Sequence, residues 1–310
     1  MNRLKYQLRI ISFIFYFLLC LNSVFILLDT FIIPHEMPSL VSEEIVGDTS
    51  IDLSKNQFSQ EVLDTLEATM TSNSYQDENI SIEITTSRTS NTTYYIADIQ
   101  LSDADYLKTA LANDTYGRNI KDKTSSIAEA NNAIFAINGD YYGFRDYGYV
   151  IRNGMLYRGV ANENNEALMI DENGDFLIIN ESEISAEELL ADGAWQVLSF
   201  GPALIESGEI MVGENDEVAQ AMTSNPRTAI GQIDELHYII IVSDGRTSES
   251  EGLTLYELAQ IMKEYNCRTA YNLDGGGSST MYFNGEIINN PTSGRSNGER
   301  SVSDIVYIGY

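Results

Sequence analysis

The sequence predicts an α+β fold, a mixed β-sheet core with a few helices, behind one N-terminal transmembrane helix. Three observations lead there. Short apolar or alternating runs recur from Ile80 to the C-terminus. Within that region only three stretches carry helical spacing, and the first 34 residues form a basic flank followed by a long apolar run.

The N-terminal element comes first. Arg3, Lys5 and Arg9 precede an almost wholly apolar segment from Ile10 to Leu28, then Asp29 and the run Thr30 to Pro34. That length matches the roughly 20 residues a helix needs to cross the hydrocarbon core, and no Ala-x-Ala cleavage pattern follows. Residues 1–34 therefore read as an uncleaved signal anchor, with the basic flank in the cytoplasm and the rest exported. The expected location is the cell membrane, single-pass, with the bulk of the chain extracellular. Residues 35–79 are polar and acidic, with one short helix expected over Ser59–Ala68, and read as a stalk.

The folded domain is expected over 80–310. Ile80–Thr85 and Tyr94–Ile99 alternate as strands, Ser125–Asn132 reads as a helix, and Ala133–Ile137 as a buried strand. Asn153-Gly154 and Asn173-Gly174 each separate two apolar runs, which predicts two hairpins. Ser185–Leu190 has helical spacing. Strands are expected at Gln196–Phe200, Leu236–Val242 and Thr269–Leu273. Leu255–Tyr265 is the clearest helix, with Leu255, Leu258, Ala259 and Met262 on one face and Thr254 as N-cap to Glu257.

Charge excludes one class of function. The 310 residues carry 18 basic and 46 acidic side chains, a net charge of −28. Such a surface repels nucleic acid, so no nucleic-acid partner is expected. Two histidines, His35 in the stalk and His237 inside an apolar strand, leave no material for a histidine triad or a histidine metal site. Cys20 lies in the apolar segment, and Cys267 reads as a small buried hydrophobe.

The chemistry gathers at strand ends. Asp274-Gly275-Gly276-Gly277-Ser278-Ser279-Thr280 places a carboxylate, an unshielded backbone and three hydroxyls after a buried strand. It lacks the Gly-Lys-Ser/Thr of a P-loop and is not Gly-x-Ser-x-Gly. Asn138-Gly139-Asp140-Tyr141-Tyr142 joins an amide, a carboxylate and aromatic rings, a set suited to a sugar ring. Arg227, between Pro226 and an apolar strand, offers a planar fork for phosphate. Asp244-Gly245-Arg246 ends another strand, and Glu299-Arg300 precedes the last one.

In this order, together with Gly201-Pro202-Ala203-Leu204, Pro226 to Gly231 and Gly252-Leu253-Thr254, these motifs resemble the phosphodiester glycosidase family, in its bacterial, exopolysaccharide-associated branch. The resemblance spans about Ile80 to Tyr310. It implies a hydrolase that releases the sugar of an N-acetylglucosamine-1-phosphodiester-like substrate and leaves a phosphomonoester. The expected substrate is a sugar-phosphate-containing glycan, as in exopolysaccharide or cell-wall glycopolymer.

On this reading Asp274 or Asp140 activates water or stabilises the anomeric carbon, and Asn138 positions sugar or water. The phosphate falls to Arg227, the Gly275, Gly276 and Gly277 backbone, and Ser278 or Ser279. Tyr142, Asp244 and Arg300 complete the substrate-binding set. No cofactor is fixed by the sequence; Asp140, Asp244 and Asp274 could instead hold Ca2+ or Mg2+ through oxygen ligands. The competing class is a non-catalytic carbohydrate or wall-polymer binding module.

Overall fold

The computed structural model describes residues 2–40, 68–162, 166–217, 224–294 and 296–310. Helix α1, Asn2–Phe31, holds an apolar span over Phe13–Phe31 with mean hydropathy 2.0 and none of it buried by the rest of the protein. A helix this apolar with no protein face to cover it is a candidate membrane span.

Three antiparallel sheets build the domain. The largest has nine strands and runs, edge to edge, from Glu209–Ile210 through Ala203–Glu206, Thr269–Asn272, Thr228–Asp234, His237–Ser243, Thr93–Leu101, Ile80–Arg88 and Ser74–Gln76 to Thr69–Met70. A five-stranded sheet centres on Phe135–Asn138 and Asp304–Ile308, and a second centres on Ala194–Leu198 and Glu166–Asp171. Inward residues of all three meet in one core, among them Ile82, Ile99, Ile137, Leu168, Leu198, Ile240, Tyr271 and Val306.

Each sheet's outer face carries one helix. α2, Thr124–Ala130, buries Ile127 and Ala128 against the Phe135–Asn138 sheet, and α3, Ala186–Ala191, buries Leu189 against the other small sheet. α4, Leu255–Glu264, lays Leu255, Leu258, Ala259, Ile261 and Met262 on the large sheet. Complete burial of a leucine there contributes on the order of 1.5–3 kcal/mol. Capping boxes start α3 (Ser185 with Glu188) and α4 (Thr254 with Glu257), so the serine, threonine and glutamate positions fixed these helix starts. The fold is α+β, with strands dominating.

The Asn153-Gly154 turn forms as expected, both residues at positive φ of 49° and 73°, between Val150–Arg152 and Met155–Arg158. Cys267 is buried with Sγ 3.8 Å from Met262 Sδ, and burial pushes its thiol up to about 12. That environment suits a structural residue.

The stalk expected over 35–79 is not free chain at either end. His35–Glu36 pairs with Gly117–Arg118, and Met37 N–H donates to Tyr116 O. Thr69–Met70 and Ser74–Gln76 extend the large sheet ahead of Ile80. Polar strands at a sheet edge have one solvated face and carry little apolar signal, which is why composition alone hid them. Residues 41–67, including most of the helix expected over Ser59–Ala68, lie outside the described residues.

Candidate active site

Four segments converge where the Thr269–Asn272 strand ends. The Thr228–Asp234 strand lies beside it and Phe135–Asn138 approaches from the facing sheet. Asn138 ties them together. Its Nδ2 donates to Asp274 O at 2.7 Å, and its Oδ1 accepts from Thr228 Oγ1 at 2.9 Å and from Thr280 N–H at 3.3 Å. With these bonds inside the protein, the amide positions the Asp274 loop, and sugar or water contact is not its visible role.

Asp274 begins the glycine loop, which continues as a single 3-10 turn, Gly276–Ser278. Its side chain is 11% exposed and Oδ2 accepts from Arg300 Nη2 at 2.8 Å. Arg300 Nε also donates to Ser278 Oγ at 2.9 Å. Burial pushes the Asp274 carboxyl above its ordinary range, and the charges and hydrogen bonds of Arg300, Ser278 and Arg145 only partly offset this. A carboxyl so poised suits proton transfer.

The loop is packed among arginines. Gly276 takes φ +62°, and a Cβ there would lie 2.6 Å from Arg246 Nη2; one at Gly277 would lie 3.4 Å from Arg300 Cδ. Glycine is needed at Gly276 because an L side chain rarely adopts that φ, and the Arg246 guanidinium packs into the space left open. Gly276 N–H donates to Pro226 O at 2.8 Å, so this one of the three glycine amides holds the loop shut. Arg246 Nε donates to Asn225 Oδ1. The backbone of Arg227 adjoins the loop, but its buried guanidinium turns to Leu253 O at 3.0 Å and Glu217 Oε2 at 2.9 Å. Burial disfavours its charge and neighbouring Arg246 adds to this, while Glu217 supports it. Arg300, not Arg227, is the cation on Asp274.

Asp140 is fully engaged elsewhere. Its Oδ2 accepts from Arg152 Nη2 at 2.8 Å and Ser199 N–H at 3.0 Å, and its Oδ1 from Tyr142 N–H at 2.9 Å. Tyr142 is 2% exposed, stacked on Tyr116 with centroids 5.3 Å apart, so it is a core ring and not a wall of the cleft. Its neighbours Tyr141 and Phe144 are half-buried and stack on each other at 4.6 Å. Asp244 lies further off, accepting from Asn290 N–H at 2.7 Å and from Tyr95 Oη at 3.2 Å. The three aspartates therefore do not form the cation site their sequence suggested. Among the described residues no group of three or more His, Cys, Asp or Glu side chains forms a metal site.

Two clefts lie in the neighbourhood of the loop, neither lined by its own residues. One of about 540 Å³ is walled by Arg145, Phe200, Pro202 and Glu217, and one of about 640 Å³ by Tyr95, Asp244, Asn290 and Thr292. Arg145 carries the first to Asp274, whose charge it supports. Thr292 carries the second to its neighbour Ser293, whose Cα would lie 3.4 Å from a Gly277 Cβ.

Behind Asp274 sits a buried arrangement that sequence reasoning missed. Arg152 Nη2 bridges Asp140 and Asp304, both at 2.8 Å, with all three side chains essentially inaccessible. The signal was present in the last strand: Asp304 shares a face with Val306 and Ile308, an acid on a core face. Arg145, a single arginine in a loop, was also missed, and Arg246 was marked only as part of the Asp244-Gly245-Arg246 motif, without a role at the site.

One cation between two carboxylates leaves a net negative charge. Desolvation, with Asp140 and Asp274 nearby, pushes Asp304 up to about 7 against the pull of Arg152. The folded value exceeds the roughly 3.9 of an unfolded aspartate. Proton binding by Asp304 therefore stabilises the fold fully below about pH 4, and this is lost as pH rises to about 7. The Tm of the full chain is expected to fall between about pH 4 and 7, and Asp304→Asn to flatten that fall. A wild-type slope unchanged in the variant would refute the assignment.

Residues 131–309 match the family described as phosphodiester glycosidase. The SPbeta prophage-derived uncharacterized protein YomE of Bacillus subtilis is 30% identical over 202 residues, 63% of this chain and 31% of that protein. The N-acetylglucosamine-1-phosphodiester alpha-N-acetylglucosaminidase of Mus musculus is 30% identical over 159 residues, 47% of this chain and 30% of that protein. This chain thus spans about a third of the length of these relatives. Among solved structures, the zebrafish N-acetylglucosamine-1-phosphodiester alpha-N-acetylglucosaminidase catalytic domain, auto-inhibited by its pro-peptide, has TM-score 0.61 at 20% identity, covering 79% of this chain and 88% of that one. A hypothetical protein from Synechocystis has TM-score 0.56 at 16% identity, covering 75% and 62%. Both structures support the fold alone. More than half the chain carries the family's match on the elements that build the Asp274 site, and the chain belongs to the phosphodiester glycosidase family.

Proposed function

We propose that this protein hydrolyses a sugar-1-phosphodiester of the N-acetylglucosamine-1-phosphodiester kind, acting at the cell surface from a single-pass anchor formed by α1. The observation that carries this reading is the pairing of a buried, hard-to-ionise Asp274 with arginines packed on the same glycine loop. A phosphodiester demands charge neutralisation, and its sugar demands support of an oxocarbenium-like transition state. Arg300 and Arg246 answer the first demand. Asp274 answers the second by taking the proton of a water that attacks the anomeric carbon, while the bond to the phosphate oxygen breaks and a phosphomonoester departs.

Asp140 has both oxygens committed, so the chemistry rests on Asp274, with Asp140 and Arg152 as support. The family membership and the mammalian relative's name support the substrate class. The catalytic unit is taken as 80–310 together with the edge strands from Thr69, and glycans bearing sugar phosphates at the envelope are the proposed targets.

The test offers the full chain a panel of sugar-1-phosphodiesters beside the corresponding sugar-1-phosphates and simple glycosides, with and without chelator. Release of free sugar and phosphomonoester from the diesters alone, unaffected by chelator, is expected. Binding of the diesters without turnover would replace this reading by a carbohydrate-binding module.

A further inference from the structure

The distance between α1 and the domain bears on where the substrate resides. Only Ile32, Ile33 and Pro34 separate the end of α1 at Phe31 from His35, which already pairs with the domain. Three residues span at most about 10 Å. The helix end is also held directly: Asn119 Nδ2 donates to Thr30 O and to Ile33 O, both at 3.1 Å. With α1 in a bilayer, the Tyr116–Asn119 segment lies at the membrane surface.

That segment is continuous with the cleft. Asn119 N–H donates to Gly143 O at 3.2 Å, inside the turn that carries Tyr141 and Phe144. The turn is a 3-10 helix over Tyr142–Phe144 with Tyr141 as its N-cap, and the Tyr141 and Phe144 rings stack on each other. Cations flank them on both sides. Lys121 Nζ is 5.4 Å from the Phe144 centroid, and Arg145 lies 5.5 Å from Tyr141 and 4.9 Å from Phe200 at the cleft. Lys121, Phe144, Tyr141, Arg145 and Phe200 thus form an alternating cation and aromatic lip from the helix end to the Asp274 site.

Such a lip suits an interfacial zone, where ring bodies meet acyl and glycerol groups and cations meet phosphate. The charge of the whole chain, −28, opposes any free approach to an anionic bilayer. The covalent helix removes that obstacle, and Lys121 and Arg145 place two cations on the lip.

We infer that the sugar-1-phosphodiester cleaved here is membrane-anchored, its phosphate joined to a lipid in the same bilayer and its headgroup delivered across the Lys121–Phe200 lip. The inference rests on the glycosidase reading for the chemistry and on the helix-end geometry for the location.

The full chain is reconstituted in vesicles, as wild type and with a spacer of about ten Gly and Ser residues inserted after Pro34. A fluorophore on Lys121→Cys, in a Cys20→Ser background, reports quenching by headgroup-labelled lipid. Quenching at least about threefold stronger without the spacer is expected, since the spacer lets the lip move many ångströms away. In parallel, one sugar-1-phosphodiester is supplied with a lipid tail in the same vesicles, and one with a short soluble alcohol. Turnover of the lipid-tailed substrate is expected to exceed that of the soluble one by about tenfold at equal bulk concentration. The spacer removes this advantage and leaves soluble turnover unchanged. Phe144→Ala with Lys121→Gln raises KM for the lipid-tailed substrate about fivefold at constant kcat. Equal quenching with and without spacer, or equal turnover of the two substrates, overturns the inference and leaves the glycosidase reading standing. Cleavage of neither substrate removes both.

Discussion

Asp274→Asn is expected to reduce sugar release from a sugar-1-phosphodiester by about 10³-fold or more while the domain stays folded. The substitution keeps the shape and the carbonyl oxygen that accepts from Arg300, and it removes a charge that burial already disfavours. Stability should therefore hold or rise slightly. KM should change little, because the phosphate contacts proposed for Arg246 and Arg300 do not involve the substituted group.

The pH profile adds an independent check. As a base Asp274 acts ionised, and its carboxyl lies above the ordinary value of 3.8. The acid limb of kcat/KM is therefore expected above that value, and activity falls as pH drops through it. Turnover within tenfold of wild type, or an unshifted acid limb, would sink the assignment of Asp274 as the base.

Arg152→Met is expected to destabilise the fold by about 3–5 kcal/mol at neutral pH. The guanidinium donates to Asp304 Oδ2 through Nε at 2.9 Å, to Asp140 Oδ2 at 2.8 Å, and to the carbonyls of Ile151 and Val197. Removing it leaves two carboxylates without their counter-charge where water cannot reach them, and Asp304 Oδ1 already lacks a partner. Protonation relieves that burden. The loss should be smaller near about pH 5 than near about pH 8, read from denaturant midpoints at each pH. Equal losses at both would mean that the packing of the arginine stem, not its charge, holds the site.

This second prediction was reachable only from the structure. Arg152 stands in sequence as the last residue of a short strand before Asn153-Gly154, and nothing local distinguishes it from a surface arginine. Its partners are 12 and 152 residues away. By contrast the α4 cap, the Asn-Gly hairpin and the apolar strands were legible because each is governed by neighbours within a few residues. Edge strands at Thr69–Gln76 escaped notice because a solvated edge leaves no apolar stripe.

The site divides along the same line. Sequence alone marked the Asp274–Thr280 loop, Asn138, Asp140, Arg227 and Arg300, since a glycine run after a buried strand, or an amide and carboxylate at a strand end, breaks the pattern around it. Which of those groups face a ligand was decided by tertiary structure. Packing turned Tyr142 inward and left Tyr141 half-buried, spent both Asp140 oxygens on internal partners, and gave Asp274 to Arg300 instead of Arg227. Side-chain direction at the end of a strand depends on what the facing sheet offers, and that sheet comes from a distant part of the chain. Local pattern set most of the elements, the charge and the chemical groups; long-range contacts decided the edge strands, how those groups are paired and which of them remain available to a substrate.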